Sequence, residues 1–505
     1  MSRTARWALA AALLISAPAA AADYWACQYR NIDVTVAGSS EYARGVARNA
    51  DRLGAALTRV LSFKGDARLP THIYVLPDEQ IIEVLGSSGN SNYRSSGYDA
   101  TVIASRGTGS ADRYWGVYFG YVGSLVAGAG AQRYPYWYRL GVPEVFATTE
   151  VDQDRIRTGG IAPGYALTVA SGTLIPLRTF LAMQEEDPQL QSGPVSEMYA
   201  AESWYLTREI LVEGRYRREF GKYLGLMHEG RSERAAFAAS FNVSYEDLDR
   251  MLRDDRLAQS HVFMLASSTD ESPDCDSPRK LTPPEVRARL ALVNLQLGRR
   301  AQARQLAGAA LHDDPANERA LRVLAQAQLE EWDYGASFAA VDQLSRAALS
   351  PDGMAESAAI LTVLASAVTG GHAALPVDAP TLLRYAQQYY QAAIAANPED
   401  LRSWAGLAGL YGARRDRAAA QALLPQASQA LERHPGNGNL AYALAHMCAQ
   451  TQQWDCAAKF AGAWRENAPT EASRAEAAAF ESRLAAYRQR LASAPATQSS
   501  APPRN

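Results

Sequence analysis

Glu144 and Glu150 stand six residues apart beside an aromatic run that includes Tyr134, Tyr136, Trp137 and Tyr138. Two carboxylates can divide acid and base work between them when their environments split their pKa values and fix their separation. Chain spacing does not supply that separation, and a charged helix face accounts for both glutamates equally well. Other reactive residues are dispersed. Of the seven histidines, His228-Glu229 continues into Gly-Arg-Ser and so does not open the helical two-histidine pattern of zinc hydrolases, while His72 and His261 stand alone. The chain contains no serine elbow, phosphate loop or dinucleotide fingerprint. Its four cysteines, Cys27, Cys275, Cys448 and Cys456, lack zinc-finger spacing. The aromatic cluster Tyr114, Trp115, Tyr118, Phe119, Tyr121, Tyr134, Tyr136, Trp137 and Tyr138 could stack on a peptide or glycan, but its helical spacing favours a packed core and its rim.

These residues must be positioned by at least two domains, because about 480 residues remain once a leader is set aside, too many for one core. Arg3 and Arg6, the apolar run Trp7 to Ile15, and the alanines ending at Ala22 predict a secretory signal over residues 1–22, with the mature chain beginning near Asp23. No later run reaches the roughly 18 apolar residues of a membrane helix. The expectation is a periplasmic or secreted protein with no transmembrane segment. A net charge of -3 without a basic stripe argues against nucleic acid as partner.

Composition changes along the chain. The first half is rich in Tyr, Gly and Val, and the second in Ala, Leu, Gln and Arg at helical period. This predicts domains over residues 23–267 and 283–491, a polar linker over 268–282 and a disordered tail over 492–505. Strands are expected over Ile32–Val36, His72–Leu76 and Ala100–Ala104, with helices over Glu41–Leu61 and Tyr114–Val126 and mostly helical structure afterwards.

In the second half Pro315, Pro351, Pro398, Pro435 and Pro469 recur at intervals of 36, 47, 37 and 34 residues, and each is expected to end a helix. Small or apolar residues fall where paired helices would touch: Ala303, Ala307 and Ala310 in one unit, Trp404, Leu407, Ala408 and Tyr411 in another, Leu444, Ala445, Ala457 and Ala461 in a third. This pattern resembles the tetratricopeptide repeat, whose period is about 34 residues. The resemblance implies an all-α superhelix of about five units, capped by a helix from roughly Glu471 to Leu491. It also implies a protein or peptide partner on the face made by the first helix of each unit, where counting places Arg319, Arg322, Gln326, Arg402, Tyr442 and His446. Those donors would suit an extended, partly acidic segment. Cys448 and Cys456 fall on the two helices of the last unit and could form a disulfide. Cys27 and Cys275, at the two ends of the first domain, could form another.

The stretch Phe119-Gly-Tyr-Val-Gly-Ser-Leu-Val, followed by Tyr134-Pro-Tyr-Trp-Tyr-Arg-Leu-Gly-Val-Pro-Glu-Val-Phe146, resembles the core of the gluzincin-like, peptidase-MA-like domains. In that family a histidine helix and a following glutamate hold zinc. The alignment puts Phe119 and Gly123 at the histidines, Gly120 at the catalytic base and Leu140 at the later ligand. None of these side chains can coordinate a metal or polarise water. The expected fold is therefore an α+β, gluzincin-like first domain with a mostly helical second half, joined to an all-α superhelix. The expected protein has no metal and no cofactor, and is an inactive peptidase relative on an interaction scaffold. The rival expectations are a hydrolase using Glu144 or Glu150, and a structural spacer in an envelope assembly.

Overall fold

The computed structural model describes residues 23–61, 70–85, 91–95, 98, 100–106, 114–128, 134–152, 155–191, 193–254, 261–266, 277–346, 349–468 and 471–493. The expected leader (1–22) and tail from residue 494 lie outside them, as do Cys275 and Pro469.

In chain order the first half forms β1 (Tyr24–Tyr29), β2 (Ile32–Ala37), α1 (Ser40–Val60), β3 (Thr71–Leu76), α2 (Asp78–Leu85), β4 (Ser91–Ser95), β5 (Ala100–Ser105), α3 (Trp115–Gly128), α4 (Tyr136–Ala147), β6 (Glu150–Val151), β7 (Arg155–Thr158), α5 (Pro163–Ser171), α6 (Leu177–Ala182), α7 (Pro194–Leu211), α8 (Arg217–His228), α9 (Glu233–Ser240), α10 (Tyr245–Asp254) and β8 (Phe263–Ala266). The second half forms β9 (Arg279–Lys280), α11 (Pro283–Gln296), α12 (Arg300–Asp313), α13 (Glu318–Glu330), α14 (Tyr334–Leu344), α15 (Pro351–Thr369), α16 (Ala379–Ala396), α17 (Leu401–Ala413), α18 (Arg417–Arg433), α19 (Gly438–Gln450), α20 (Trp454–Asn467) and α21 (Glu471–Ser493).

The period of two in β2, β3 and β5 sorts side chains onto two faces of a sheet ordered β4-β5-β3-β2-β1-β9. Ile32, Val34 and Val36 join Ile73, Val75, Val102 and Ala104 on one face, packed against Tyr42, Val46, Leu53 and Leu57 of α1 and Val117, Tyr121 and Leu125 of α3. Helix α1 starts where Ser39 accepts a hydrogen bond from the Tyr42 amide at 3.1 Å. The opposite face carries Tyr24, Ala26, Tyr74, Leu76 and Ile103, and these pack on Leu281 and on Val286, Leu290, Val293 and Leu297 of α11 and its C-terminal turn. The array is thus the sheet's second covering layer. Strand β9 pairs with β1, and Thr282 forms a capping box with Glu285 at the start of α11, so the expected linker ends within secondary structure. A separate three-stranded sheet, β6-β7-β8, flanks α4.

The repeat is visible in the turns. Each of five hairpins, α11/α12 through α19/α20, has one left-handed residue between its helices: Gly298, Trp332, Gly371, Arg415 and Gln452, with φ of 76°, 64°, 70°, 53° and 61°. The following amide then reaches the carbonyl five residues back, Arg299 to Asn294, Asp333 to Gln328, His372 to Ala367, Asp416 to Tyr411 and Gln453 to Cys448, at 2.7 to 3.0 Å. This is the Schellman closure, which satisfies carbonyls that a helix end would otherwise orphan. The intervals, 34, 39, 44 and 37 residues, place the insertion around the third unit, whose α15 has 19 residues. First helices start at caps: Asn317, Ser350, Asp400 and Asn437 each accept from a backbone amide of the following turn. Pro315, Pro398 and Pro435 stand two residues before such caps, whereas Pro351 is the first residue of α15 rather than the end of the preceding helix. There the missing proline N–H costs no helical bond.

First helices α11, α13, α15, α17 and α19 touch in succession, and α21 packs on α20. The residues expected between paired helices are buried, among them Ala303, Ala307, Ala408, Leu444, Ala457 and Ala461 at 0 to 3% exposure together with Leu407.

Candidate interaction site

Helices α3 and α4 pack together and carry the positions expected to be vacant. Phe119 is half-buried and stacks on Trp115 with ring centroids 5.3 Å apart. Gly120 and Gly123 are buried, and Leu140 packs at the edge of the core around Trp137 and Phe220. A β-carbon at Gly141 would collide with the Ser203 carbonyl and Thr207 Oγ1 of α7, so α4 and α7 meet there backbone to backbone. Tyr118, Tyr121 and Trp137 are fully buried, and their neighbours form the rim of that core. Among the described residues, no group of three His, Cys, Asp or Glu side chains could hold a metal.

Glu144 and Glu150 are not brought together as a pair. Glu150 is exposed and faces Arg157 at 3.2 Å. Glu144 is 3% exposed. Its Oε1 accepts from the Tyr165 hydroxyl at 2.6 Å, while Oε2 has no hydrogen-bond partner among the described residues. Burial pushes its carboxyl up to about 8, against the opposing pull of the Tyr165 hydrogen bond. The side chain is therefore a neutral acid at neutral pH.

The residues expected to bind a partner lie on first helices, and most of them are committed within the chain. Arg289 of α11 donates to Asp33 Oδ1 and Oδ2 at 3.1 and 2.9 Å and to Thr35 Oγ1 at 2.6 Å. Arg319 of α13 reaches the same Asp33 carboxylate at 3.4 Å, and His72 Nδ1 stands 3.4 Å from it. Burial works against the Asp33 charge, but Arg289, His72 and Arg319 hold its carboxyl far below the usual range. Tyr74, 1% exposed, sits within the field of Arg319, Arg289 and Arg322. Tyr98, between β4 and β5, packs against the array core, in the field of Tyr390, Arg402 and Asp400. The sheet thus meets the first-helix face at α11 and α13, and Tyr98, in the connection between β4 and β5, reaches the array core near the start of α17.

Further along, Arg322 grips Glu356 of α15 through Nε and Nη2 at 2.6 and 2.5 Å, and Arg402 of α17 donates to the same carboxylate at 3.1 Å. Burial raises the Glu356 carboxyl, but the two arginines win and hold it at about 2. Gln326 donates to Glu330 on its own helix at 3.1 Å. These placements correct the expectation of free donors. Arg319, Arg322 and Arg402 answer carboxylates supplied by β2 and α15 of the same chain. Such buried charges are held by partners because desolvation is costly. His446 is half-buried and lies 4.7 Å from the Phe480 ring of α21, which covers it as the terminal cap. Tyr442 is 41% exposed, edge-on to Trp464 at 4.8 Å.

Cys448 of α19 and Cys456 of α20 form a disulfide, with Cα atoms 5.7 Å apart. Cys27 is buried in β1, and Cys275 lies outside the described residues.

Sequence reading missed Asp33, Thr35, His72, Tyr74 and Tyr98. One signal was available: Asp33, Thr35 and His72 occupy alternate strand positions, marking a polar face that the fold nevertheless buries or half-buries.

The chain is similar to several solved structures. These include a thermophilic tetratricopeptide-repeat protein of Thermus thermophilus, at 20% identity over 39% of this chain and 98% of that one, TM-score 0.32. Another is YrrB, described as such a repeat protein with an unusual peptide-binding site, at 14% identity over 41% and 91%, TM-score 0.28. Yeast Tom70 matches at 16% identity over 66% and 70%, TM-score 0.33. No protein-family model matches the chain, and no curated protein matches it. The repeat architecture rests on the chain's own helix pairs and Schellman turns.

Proposed function

We propose that this chain is an exported, non-catalytic interaction protein, in which a tetratricopeptide-type scaffold carries a degenerate peptidase-MA-like domain and engages a protein or peptide partner. The observation that supports the reading best is the seam itself. The first-helix face holds a protein surface, with Asp33 seated between Arg289 and Arg319. Since α11 and α13 are engaged in this way, and Arg322 and Arg402 are paired with Glu356 inside the array, an external partner takes the remaining face around Tyr442. Phe119, Gly120, Gly123 and Leu140 offer nothing to a metal, which supports a role without peptidase chemistry.

The test joins metal analysis and peptidase assays on residues 23–505 to crosslinking from a photoreactive group at position 442. The reading expects no stoichiometric zinc, no chelator-sensitive cleavage and a defined crosslinked partner. Bound zinc with cleavage would overturn it.

A hydrolase reading retains one supporting observation, the Glu144 carboxyl raised to about 8, a value suited to a general acid. It requires a cleavage activity that Glu144→Gln abolishes.

A further inference from the structure

The segment that carries α5 is fastened at its two ends by charged side chains. At the first end Arg208 Nε donates to the Gly159 carbonyl at 3.2 Å and Thr148 Oγ1 to the Gly160 carbonyl at 3.4 Å, and Gly159 has left-handed backbone with φ of 76°. At the second end Arg253 Nη2 donates to the Leu174 and Ile175 carbonyls at 3.5 and 3.4 Å. There Glu202 Oε1 also accepts from the Ile175 amide at 2.5 Å.

Between these ends the hold is lighter. Helix α5 packs on α7 but buries only Val169 of its nine residues, and Leu167 is 69% exposed. Of the three hydroxyls on α5, those of Thr168 and Ser171 turn back on carbonyls of the same helix. The third, on Tyr165, reaches Glu144.

The groups beneath α5 are left short of partners. Glu144 Oε2 and Trp204 Nε1 are buried with no hydrogen-bond partner among the described residues, and the Trp204 and Tyr165 rings lie 6.1 Å apart. A buried polar group without a partner costs free energy that contact with water would recover. Among the described residues no charge offsets Glu144. Helix α3 has no charged side chain, and on α4 itself Arg139 faces Glu185. Helix α7 exposes Glu197 and turns Glu202 to the Ile175 amide, Arg208 to Glu213 and Glu209 to Arg215. Strand β7 exposes Arg155 and pairs Arg157 with Glu150.

We propose that residues 161–173 form a lid, hinged at its two fastened ends, that swings off Glu144 and Trp204 and takes up one proton on closing. The proton resides on Glu144. Under the lid burial raises this carboxyl to about 8, and in contact with water it returns to the ordinary carboxylate range. The closed-state value is the raised one, so closure is fully supported at acid pH and loses support as pH rises toward 8. One proton per closing makes the opening constant rise about tenfold per pH unit between about 4.5 and 8. The lid requires neither catalysis nor the partner at Tyr442.

Hydrogen–deuterium exchange of residues 23–505, read by peptide mass spectrometry at pH 5.5, 7 and 8.5 and divided by the intrinsic rate at each pH, tests it. Protection across 161–173 is expected to lie below that of α4 at every pH, because the lid opens without unfolding the body. It is also expected to fall about thirtyfold from pH 5.5 to 7. E144Q, which keeps the acceptor for Tyr165 and cannot ionise, is expected to abolish that fall. Protection equal to that of α4, a wild-type value unchanged with pH, or an undiminished pH dependence in E144Q would overturn the proposal. The two wild-type readings decide it even if the variant does not fold.

Discussion

Replacing Glu144 by glutamine should stabilise the protein, and the gain should grow with pH. In the folded chain the carboxyl titrates near 8, against 4.5 for an ordinary glutamate. The acid's folded pKa is raised, so its contribution is fully present below the unfolded value and is lost as pH rises through the folded one. At pH 4 the side chain is protonated in both states and the linkage difference is close to zero. At pH 7 the unfolded chain has released a proton that the folded chain still holds. About 2.5 pH units at about 1.36 kcal/mol each give roughly 3 kcal/mol. Above pH 8 the difference levels off near 5 kcal/mol. Glutamine keeps the acceptor for Tyr165 and has no proton to lose, so it copies the neutral acid. The assay is urea unfolding of the wild type and Glu144→Gln at pH 4, 5.5, 7 and 8.5. The reasoning predicts a difference rising by about 1.4 kcal/mol per pH unit between 4.5 and 8. A pH-independent difference, or one shrinking toward alkaline pH, would show that Glu144 is ionised in the folded chain.

Four further outcomes follow from the seam, the turns and the disulfide. Asp33→Ala leaves Arg289 and Arg319 without their shared carboxylate and should cost roughly 3 to 5 kcal/mol; urea unfolding together with limited proteolysis near β9 would register it, and an unchanged midpoint would mean the seam carries no energy. Residues 23–282 expressed alone should be insoluble or bind hydrophobic dyes, because Tyr24, Tyr74, Leu76 and Ile103 lose the α11 side chains that cover them; a monodisperse, cooperative fragment would refute this. Trp332→Gly, Arg415→Gly and Gln452→Gly should each raise stability by about 0.5 to 1 kcal/mol, since all three side chains occupy left-handed backbone, and a loss of stability would show that side-chain contacts outweigh the strain. Reducing Cys448–Cys456, whose partners are 8 residues apart, should cost about 2 to 3 kcal/mol by the loop-entropy relation, read as a lower thermal midpoint that Cys448→Ser/Cys456→Ser reproduces.

What was legible follows from how local each determinant is. Ile32, Val34 and Val36 announce a strand by period two, and Ala303, Ala307 and Ala310 announce a closely packed helix pair by size and spacing. Both are decided within a dozen residues. Strand β9 is two residues long and lies in a polar stretch, and β4, Ser-Asn-Tyr-Arg-Ser, has no apolar alternation, so neither carries a local signal. The turns at Trp332, Arg415 and Gln452 escaped because their left-handed backbone carries no glycine to mark it. Arg319, Arg322 and Arg402 lie on first helices, as expected, but meet carboxylates of their own chain. Nothing local distinguishes an arginine awaiting a foreign carboxylate from one that meets Asp33, 286 residues away in sequence.

The position of Asp33 also explains why the seam takes this form. A sheet with parallel central strands needs both faces covered, and α1 and α3 cover only one. On the other face apolar residues concentrate toward β1 and α11, where Tyr24, Ala26, Leu290 and Val293 interlock. Asp33, Thr35 and His72 interrupt the apolar pattern and would be expensive to bury against leucine. Helices α11 and α13 resolve the conflict by presenting Arg289 and Arg319 there, so the polar half of the strand face is matched by charge and the apolar half by packing. A hydrophobic contact alone would tolerate sliding of the sheet along a face built largely from repeated alanines and leucines. The shared carboxylate does not, because a slip of one helical turn would leave the buried Arg289 and the half-buried Arg319 unpaired. Asp33 therefore sets the register between sheet and array, and its energy is better understood as selecting one docking geometry than as driving the docking itself.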